Sequence, residues 1–258
     1  MKIGIFDSGV GGLTVAKEIK NLLPDQPIIY FGDTARTPYG TKSKETLIAY
    51  AKEDAAFLLK QGAGLIVIAC HSAASTATDV LKAGLDVPVF EVVTPSIEQA
   101  LVKTRTKRIG LIGTRATVSS RIYEKKIGVL DPDAKVIGQP CPLLVPLVEE
   151  GWLKARETRM IVKKYLRPLK QQKIDTLVLG CTHYPLLKKV IQEKIGRRTT
   201  VVDPSLEVAR AVKGYLSQNG GIEKGKQAKD RYFVSDIGPA TEEIVRRFMG
   251  RRIDLEKV

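Results

Sequence analysis

The chain has 258 residues, 43% of them hydrophobic and 27% charged, enough apolar material for a large core and too much for a disordered chain. No apolar run approaches the ~18 residues of a membrane span, MKIGIFDSG enters a strand without a signal-peptide pattern, and three scattered cysteines make no disulfide framework, so a reducing, cytoplasmic setting is expected. A formal charge of +14 admits an anionic substrate or a nucleic acid, but the Lys and Arg residues spread along helical segments as solvated faces, and nucleic acid is not expected as a partner.

In chain order, KIGIF reads as a short strand ending in Asp7–Ser8–Gly9–Val10–Gly11–Gly12, followed by LTVAKEIKNLL at helical spacing and a stop at Pro24. PIIYFGD (27–33) is a second strand, leading into the loop TARTPYGTKS and the long helix ETLIAYAKEDAAFLLKQG. LIVIAC is the third strand with SAASTATDVLKAG as its helix, VPVFEVV (87–93) the fourth, and Pro95 opens the helix SIEQALVKT.

The order then starts again. RIGLIGTRATV (108–118) parallels KIGIFDSGVGG, AKVIGQP (134–140) takes the place of PIIYFGD, and ETRMIVKKYLRPLKQQ is the long helix. DTLVLGC is the third strand of this half, PLLKKVIQEKIG its helix with Pro185 in the first turn, and TTVVDPS (199–205) the fourth strand. Gly4 matches Gly110 and Cys70 matches Cys181, offsets of 106 and 111 residues, which reads as an internal duplication. RYFVSDIGPATEEIVRRF adds one more strand and helix. Alternating strands and helices imply parallel sheets with right-handed crossovers. The expected fold is α/β with two pseudo-symmetric domains, residues 1–95 plus 208–258 and residues 96–207, and a cleft between them.

Two of the three cysteines and both histidines lie in two matching turns, LIVIACHSAAS (65–75) and TLVLGCTHYPLL (176–187). In open α/β sheets ligands bind beyond the carboxyl ends of strands, so a two-fold relation brings Cys70 and Cys181 to one ligand from opposite sides. Inversion at a carbon stereocentre needs that arrangement: one base removes a proton from one face, and an acid returns one to the other. Asp7 stands ready to assist Cys70, and His183 to assist Cys181. Ser8, Ser72, Thr114, Thr117 and Thr182 sit at helix starts, where hydroxyls and N–H groups suit carboxylates. Cys70, His71, Cys181 and His183 also have the chemistry of a zinc site, but adjacent strand-end residues point in different directions, and no metal is expected. Cys141 lacks such a context and reads as structural.

The pieces IGIFDSGVGGLTV, YFGDTARTPYG, IGLIGTRATV, VPLVEEG and VLGCTHYPLL, in this order, resemble the cofactor-independent glutamate racemases of the aspartate/glutamate racemase superfamily. The resemblance implies interconversion of L- and D-glutamate for peptidoglycan synthesis, without pyridoxal phosphate or metal, by a homodimer. It leaves association with DNA gyrase open. Carried over, Cys70 and Cys181 are the two acid/bases, assisted by Asp7, His183 and Glu149. Ser8, Pro38, Tyr39, Gly40, Thr114, Thr117 and Thr182 line the substrate.

Two departures stand out. The family's first cysteine is followed by Asn-Thr, whereas here His71–Ser72 follows Cys70; serine keeps the hydroxyl, but a ring able to carry charge would meet the substrate's amino group. Thr94–Pro95–Ser96 stands where the family has Glu-Pro-Gly. Both His71 and Ser72 are counted as substrate-binding, with His71 repositioning the ligand or altering its choice. Alternatives within reach are a racemase of the same superfamily acting on aspartate or another amino acid, and a catalytically weak ligand-binding homologue.

Overall fold

The computed structural model describes residues 1–222 and 229–258. Its frame is two parallel sheets. In the first, β1 (Lys2–Asp7), β2 (Ile28–Gly32), β3 (Ala63–Ile68) and β4 (Val89–Glu91) are joined by α1 (Leu13–Leu22), α2 (Lys44–Lys60) and α3 (His71–Gly84). The helix α4 (Val93–Lys103) leads to the second sheet of β5 (Arg108–Gly113), β6 (Lys135–Pro140), β7 (Thr176–Gly180) and β8 (Thr200–Val202). Between these strands run α5 (Arg115–Ser119), α6 (Ile122–Leu130), α7 (Leu144–Glu149), α8 (Arg156–Gln171) and α9 (Lys188–Ile195). The chain returns through α10 (Pro204–Gln218), β9 (Arg231–Val234), α11 (Thr241–Met249) and β10 (Leu255–Lys257).

The strand orders are β10-β9-β2-β1-β3-β4 and β6-β5-β7-β8, with every pairing parallel. The block β2-β1-β3-β4 therefore recurs as β6-β5-β7-β8, which is the duplication in three dimensions. Central strands are covered on both faces, so β1 and β7 read as apolar runs rather than alternating ones. Helices bury one stripe: in α8 it is Thr158, Val162, Leu166 and Leu169, each large aliphatic contributing about 1.5–3 kcal/mol on burial. No helix among the described residues is long and apolar enough to cross a membrane.

Three local readings are corrected. The strand expected over 87–93 is only Val89–Glu91, because the Glu91 carboxylate accepts from the amides of Val93 and Thr94 and turns the chain into α4 there. Likewise the strand expected over 199–205 ends at Val202, where Asp203 caps α10 by accepting from the Ser205 amide and Pro204 fills the first turn. Third, Pro185 lies not in the first turn of α9 but in a 3-10 turn, Tyr184–Leu187, before it. Proline has no N–H to give to Cys181 O, and the neighbouring amides close i→i+3 bonds, Tyr184 to Cys181 and Leu186 to His183. The turn after β7 is thereby tight, and the Cys181–His183 segment stays at the sheet edge.

The carboxyl edges of the two sheets meet. A Cβ on Gly11, in the turn after β1, would fall 2.4 Å from Thr182 Oγ1 and 2.5 Å from His183 Nδ1, so only glycine allows this approach. Thr14 Oγ1 donates to Thr182 O at 3.2 Å, and Ser72 Oγ lies 3.1 Å from Thr114 Oγ1.

Candidate active site

A cavity of about 330 Å³ lies between those edges, lined by both Cys70 and Cys181. The two thiols are free, 5% and 6% exposed, and each follows the buried end of a central strand, β3 or β7. Low exposure matters here because it strengthens every electrostatic contact made within the pocket.

The Cys70 side is backed by negative charge. The Cys70 thiol is the residue before α3 and donates to Ser8 Oγ at 3.5 Å. Asp7, ending β1, lies fully buried behind it and accepts from the Gly9 amide at 3.2 Å and from Thr182 Oγ1 at 3.5 Å. Burial raises the Asp7 carboxyl above its ordinary range, outweighing the charge of His183 and the nearby amides. Burial, and then the charge of Asp7, push the Cys70 thiol up to about 12.

The Cys181 side is backed by positive charge. His183 Nδ1 stands 3.9 Å from Cys181 Sγ, and its Nε2 lies 3.0 Å from Glu149 Oε1. Burial opposes charging of the ring, but the contacts with Cys181 and Glu149 outweigh it and hold His183 up to about 10. The ring packs against Phe248 in a T-shaped contact, with centroids 5.1 Å apart. Arg247, the preceding residue of α11, donates to the carbonyls of Val148 and Glu149 at the end of α7.

The remaining lining is hydroxyls on one wall and a tight loop on another. Ser8, Ser72, Thr114 and Thr182 all face the cavity. Thr114 caps α5 by accepting from the Thr117 amide at 3.2 Å. Pro38, Tyr39 and Gly40 form the loop wall, with a cis peptide at Thr37–Pro38. A Cβ on Gly40 would meet Thr114 Cβ at 2.9 Å, so this loop also touches the opposite lobe.

His71 opens α3 and lines the cavity while 3% exposed. Neither of its ring nitrogens has a hydrogen-bond partner among the described residues, and burial pushes the ring down to about 3. Of the two states open to a ring at this position, burial favours the neutral one. Asp7 and Thr117 do not line the cavity. They stand one layer behind, Asp7 under Cys70 and Thr117 under Thr114, 3.1 Å between the two threonine hydroxyls.

Residues that sequence reasoning passed over also line the space: Arg115, and the apolar Pro142, Val145 and Pro146 around α7. Arg115 adjoins Thr114 in GTRAT, which was the available signal. Val145 and Pro146 open VPLVEEG, the piece that carries Glu149, which was their signal; Pro142, just before it, had none. Cys141 is fully buried, its thiol donating to Gln139 O at 3.4 Å. Thr94–Pro95–Ser96 lies at the start of α4, where Ser96 Oγ donates to Val93 O at 2.8 Å and Lys126 Nζ to Thr94 Oγ1 at 2.8 Å, and none of the three lines the cavity. Among the described residues no group of three or more His, Cys, Asp or Glu side chains is arranged to hold a metal ion.

Chemically, the site sets two sulfur atoms of unlike surroundings at one closed space, one beside a carboxyl and one beside an imidazolium. Such a pair can take a proton from a carbon acid and return one.

The sequence matches the Asp/Glu/Hydantoin racemase family over residues 13–212. It is 46% identical over 253 residues to a glutamate racemase of Geobacter metallireducens, covering 97% of this chain and 93% of that one. The fold superposes on a glutamate racemase isoform from Bacillus anthracis with a TM-score of 0.95 at 37% identity, covering 99% and 96% of the two chains. It superposes on the glutamate racemase of Francisella tularensis, solved with D-glutamate, with a TM-score of 0.93 at 35% identity, covering 100% and 97%.

Proposed function

The chain belongs to the glutamate racemases of the Asp/Glu/Hydantoin racemase family, and from that premise we propose that it interconverts L- and D-glutamate by proton transfer between Cys70 and Cys181. The observation that carries the reading is that both thiols line one cavity, each backed by a different assisting group.

In this reading the α-carbon lies between the sulfurs. A thiolate on one face takes the α-proton, breaking the C–H bond and forming S–H; the thiol on the other face gives its proton to the carbanion, forming the new C–H bond and leaving a thiolate. One proton has moved from carbon to the first sulfur and one from the second sulfur to carbon, and the reverse reaction exchanges the roles. At rest the Cys70 thiol, raised by burial and Asp7, suits the acid. Cys181, facing the His183–Glu149 pair, suits the base. Asp7, His183 and Glu149 set these states and take part in swapping them.

The α-proton of an amino acid is weakly acidic, so the carboxylate must be held while charge develops on the carbon. Ser8, Ser72, Thr114 and Thr182 supply hydroxyls for this, and the start of α3 supplies backbone N–H groups. Pro38, Tyr39 and Gly40 close the space around the ligand, and Thr117 holds Thr114. His71 presents a neutral ring beside the ligand and adjusts its position or its choice. Arg115 brings a cation to the cavity wall, which suits a dicarboxylate over a neutral amino acid.

The same reading takes residues 1–95 with 208–258 as one domain and 96–207 as the other. It makes the protein a cytoplasmic homodimer that needs no cofactor and supplies D-glutamate for peptidoglycan. The test is a coupled D-glutamate assay on purified protein, run across acidic and neutral amino acids. Turnover of glutamate above all others supports the reading; faster turnover of aspartate, or none of any substrate, contradicts it.

A further inference from the structure

Behind the Pro38–Gly40 wall lies a polar cluster, buried at Asp33, Tyr39 and Asp54 and open to solvent at Glu53, that the reaction itself does not use. Asp33 follows β2, Arg36 and Tyr39 belong to the loop, and Glu53 and Asp54 come from α2. Tyr39, 1% exposed, lines the cavity but turns its hydroxyl away from it, to 2.5 Å from Asp33 Oδ2 and 3.0 Å from Asp54 Oδ2. Arg36 Nε donates to Asp33 Oδ2 at 2.5 Å, its Nη2 to Asp54 Oδ1 at 3.1 Å, and its Nη1 to Glu53. The guanidinium also lies over the Tyr50 ring, 4.0 Å from its centroid. Ser235, after β9, donates to Asp33 Oδ1 at 3.0 Å.

Counting protons decides the state of this cluster. A phenol has one hydrogen, so Tyr39 Oη cannot donate to two carboxylates at once. Asp33 already collects donors from Arg36 and Ser235 and sits at the shorter distance, so its Oδ2 accepts the phenol O–H. The second contact is a hydrogen bond only where Asp54 Oδ2 carries a proton and donates it to Tyr39 Oη. Asp54 Oδ1 then accepts from Arg36 as the carbonyl oxygen of a neutral acid. Leaving both carboxylates ionised would set like charges around one buried phenol with a single guanidinium shared three ways.

Given the racemase reading above, on which this inference rests, we propose that Asp54 in its protonated form is a positioning residue for substrate binding, donating to Tyr39 Oη and so fixing the Pro38–Gly40 wall against Thr114. Burial, and next the charge of Asp33, push the Asp54 carboxyl up to about 8, in agreement with that assignment. The charged and titratable groups around it are Asp33, Arg36 and Tyr39 from the loop and Glu53 from its own helix. Above that pH a second negative charge enters the cluster and the wall loosens. A wall that binds ground state and transition state alike changes KM rather than kcat.

The experiment measures glutamate kinetics from pH 6.5 to 9.5 for the wild type, Asp54→Asn and Asp54→Leu, with thermal melts to confirm folding. Asparagine keeps a donor for Tyr39 and an acceptor for Arg36 but cannot ionise. Its KM at pH 7 is expected within about threefold of wild type, and the ratio of wild-type to Asp54→Asn KM to climb about tenfold between pH 7 and 9 as the wild-type wall loosens. Asp54→Leu holds KM about tenfold above that of Asp54→Asn at every pH, and about tenfold above wild type at pH 7, with kcat within about twofold. Should the leucine variant not fold, the asparagine ratio decides alone. A ratio constant across the range overturns the proposal, as does an unchanged KM in folded Asp54→Leu. A wild type with no glutamate turnover overturns the racemase reading itself, and the inference with it; that outcome is told apart because it precedes any comparison of variants.

Discussion

His183 and Glu149 are joined at 3.0 Å between Nε2 and Oε1, although they lie 34 residues apart on different elements. With the contact to Cys181 itself, this bond holds the His183 ring above the ordinary imidazole range against the effect of burial. Glu149→Gln removes one of the groups that holds the ring up to about 10. Because Glu149 is more than a third exposed, water screens the pair, and a drop of about one unit in the His183 pKa is expected. The alkaline limb of kcat against pH then moves down by about one unit. The stability cost runs the same way: a raised histidine pKa stabilises the fold fully below about 6.5 and less as pH rises through about 10. Melting differences between Glu149→Gln and wild type should be largest near pH 6 and fade toward pH 10.

Gly11 tests the contact between the lobes. Alanine there places a methyl against the Thr182 hydroxyl and the His183 ring, both buried and with little room to shift. Gly11→Ala is expected to cost about 1–3 kcal/mol in stability and about 100-fold in kcat/KM, since a displacement near 1 Å is enough to spoil alignment. Gly9→Ala is the control, its nearest neighbour being Thr37 Oγ1 at an ordinary 3.7 Å, and its melting point should stay close to wild type. Both are read by thermal melts and initial rates.

His71 gives a pH prediction of opposite sign. Its folded pKa, pushed to about 3 by burial, lies below the unfolded value of about 6.5, so the unfolded chain binds more protons between those limits. Stability on this account is full above about pH 6.5 and declines as pH falls toward 3. At pH 5 the loss from this one ring is about 2 kcal/mol, at 1.36 kcal/mol per unit. His71→Asn removes it, so the variant's melting point should fall less than wild type between pH 7 and 5. The same variant reports on ligand choice: unchanged glutamate kinetics would remove His71 from the binding reading.

Much of this was legible in the sequence because the informative residues are local. Cys70 and Cys181 close apolar runs of the kind that doubly covered parallel strands show, and the repeat of that pattern pointed to two parallel sheets and the shared cleft; the order of the strands within each sheet it did not give. What escaped has no local signature. The third layer of the Cys181 side, Phe248 on the ring and Arg247 on the α7 carbonyls, comes from a helix in the last part of the chain. Nothing in VRRFM marks it as a support for a histidine some 65 residues earlier. TARTPYG announced a turn, but the turn of Tyr39 toward Asp33 and Asp54 depends on α2 lying beneath it. The charge of His71 stayed open for the same reason: it follows from what surrounds the ring in space, and no neighbouring residue in the chain states that. β10 was missed as a three-residue edge strand, too short for alternation to show.

The central claim is that two different sulfurs serve the two faces of one α-carbon. The most direct measurement is the early time course of α-deuterium incorporation when L-glutamate, and separately D-glutamate, is turned over in D2O, with Cys70→Ala and Cys181→Ala alongside. Two bases predict that each product carries deuterium while the recovered starting enantiomer keeps its hydrogen, and that either alanine variant, folded by thermal melt, loses racemisation by at least about 1000-fold. Deuterium appearing equally in starting enantiomer and product, or racemisation surviving the loss of either thiol, would contradict it.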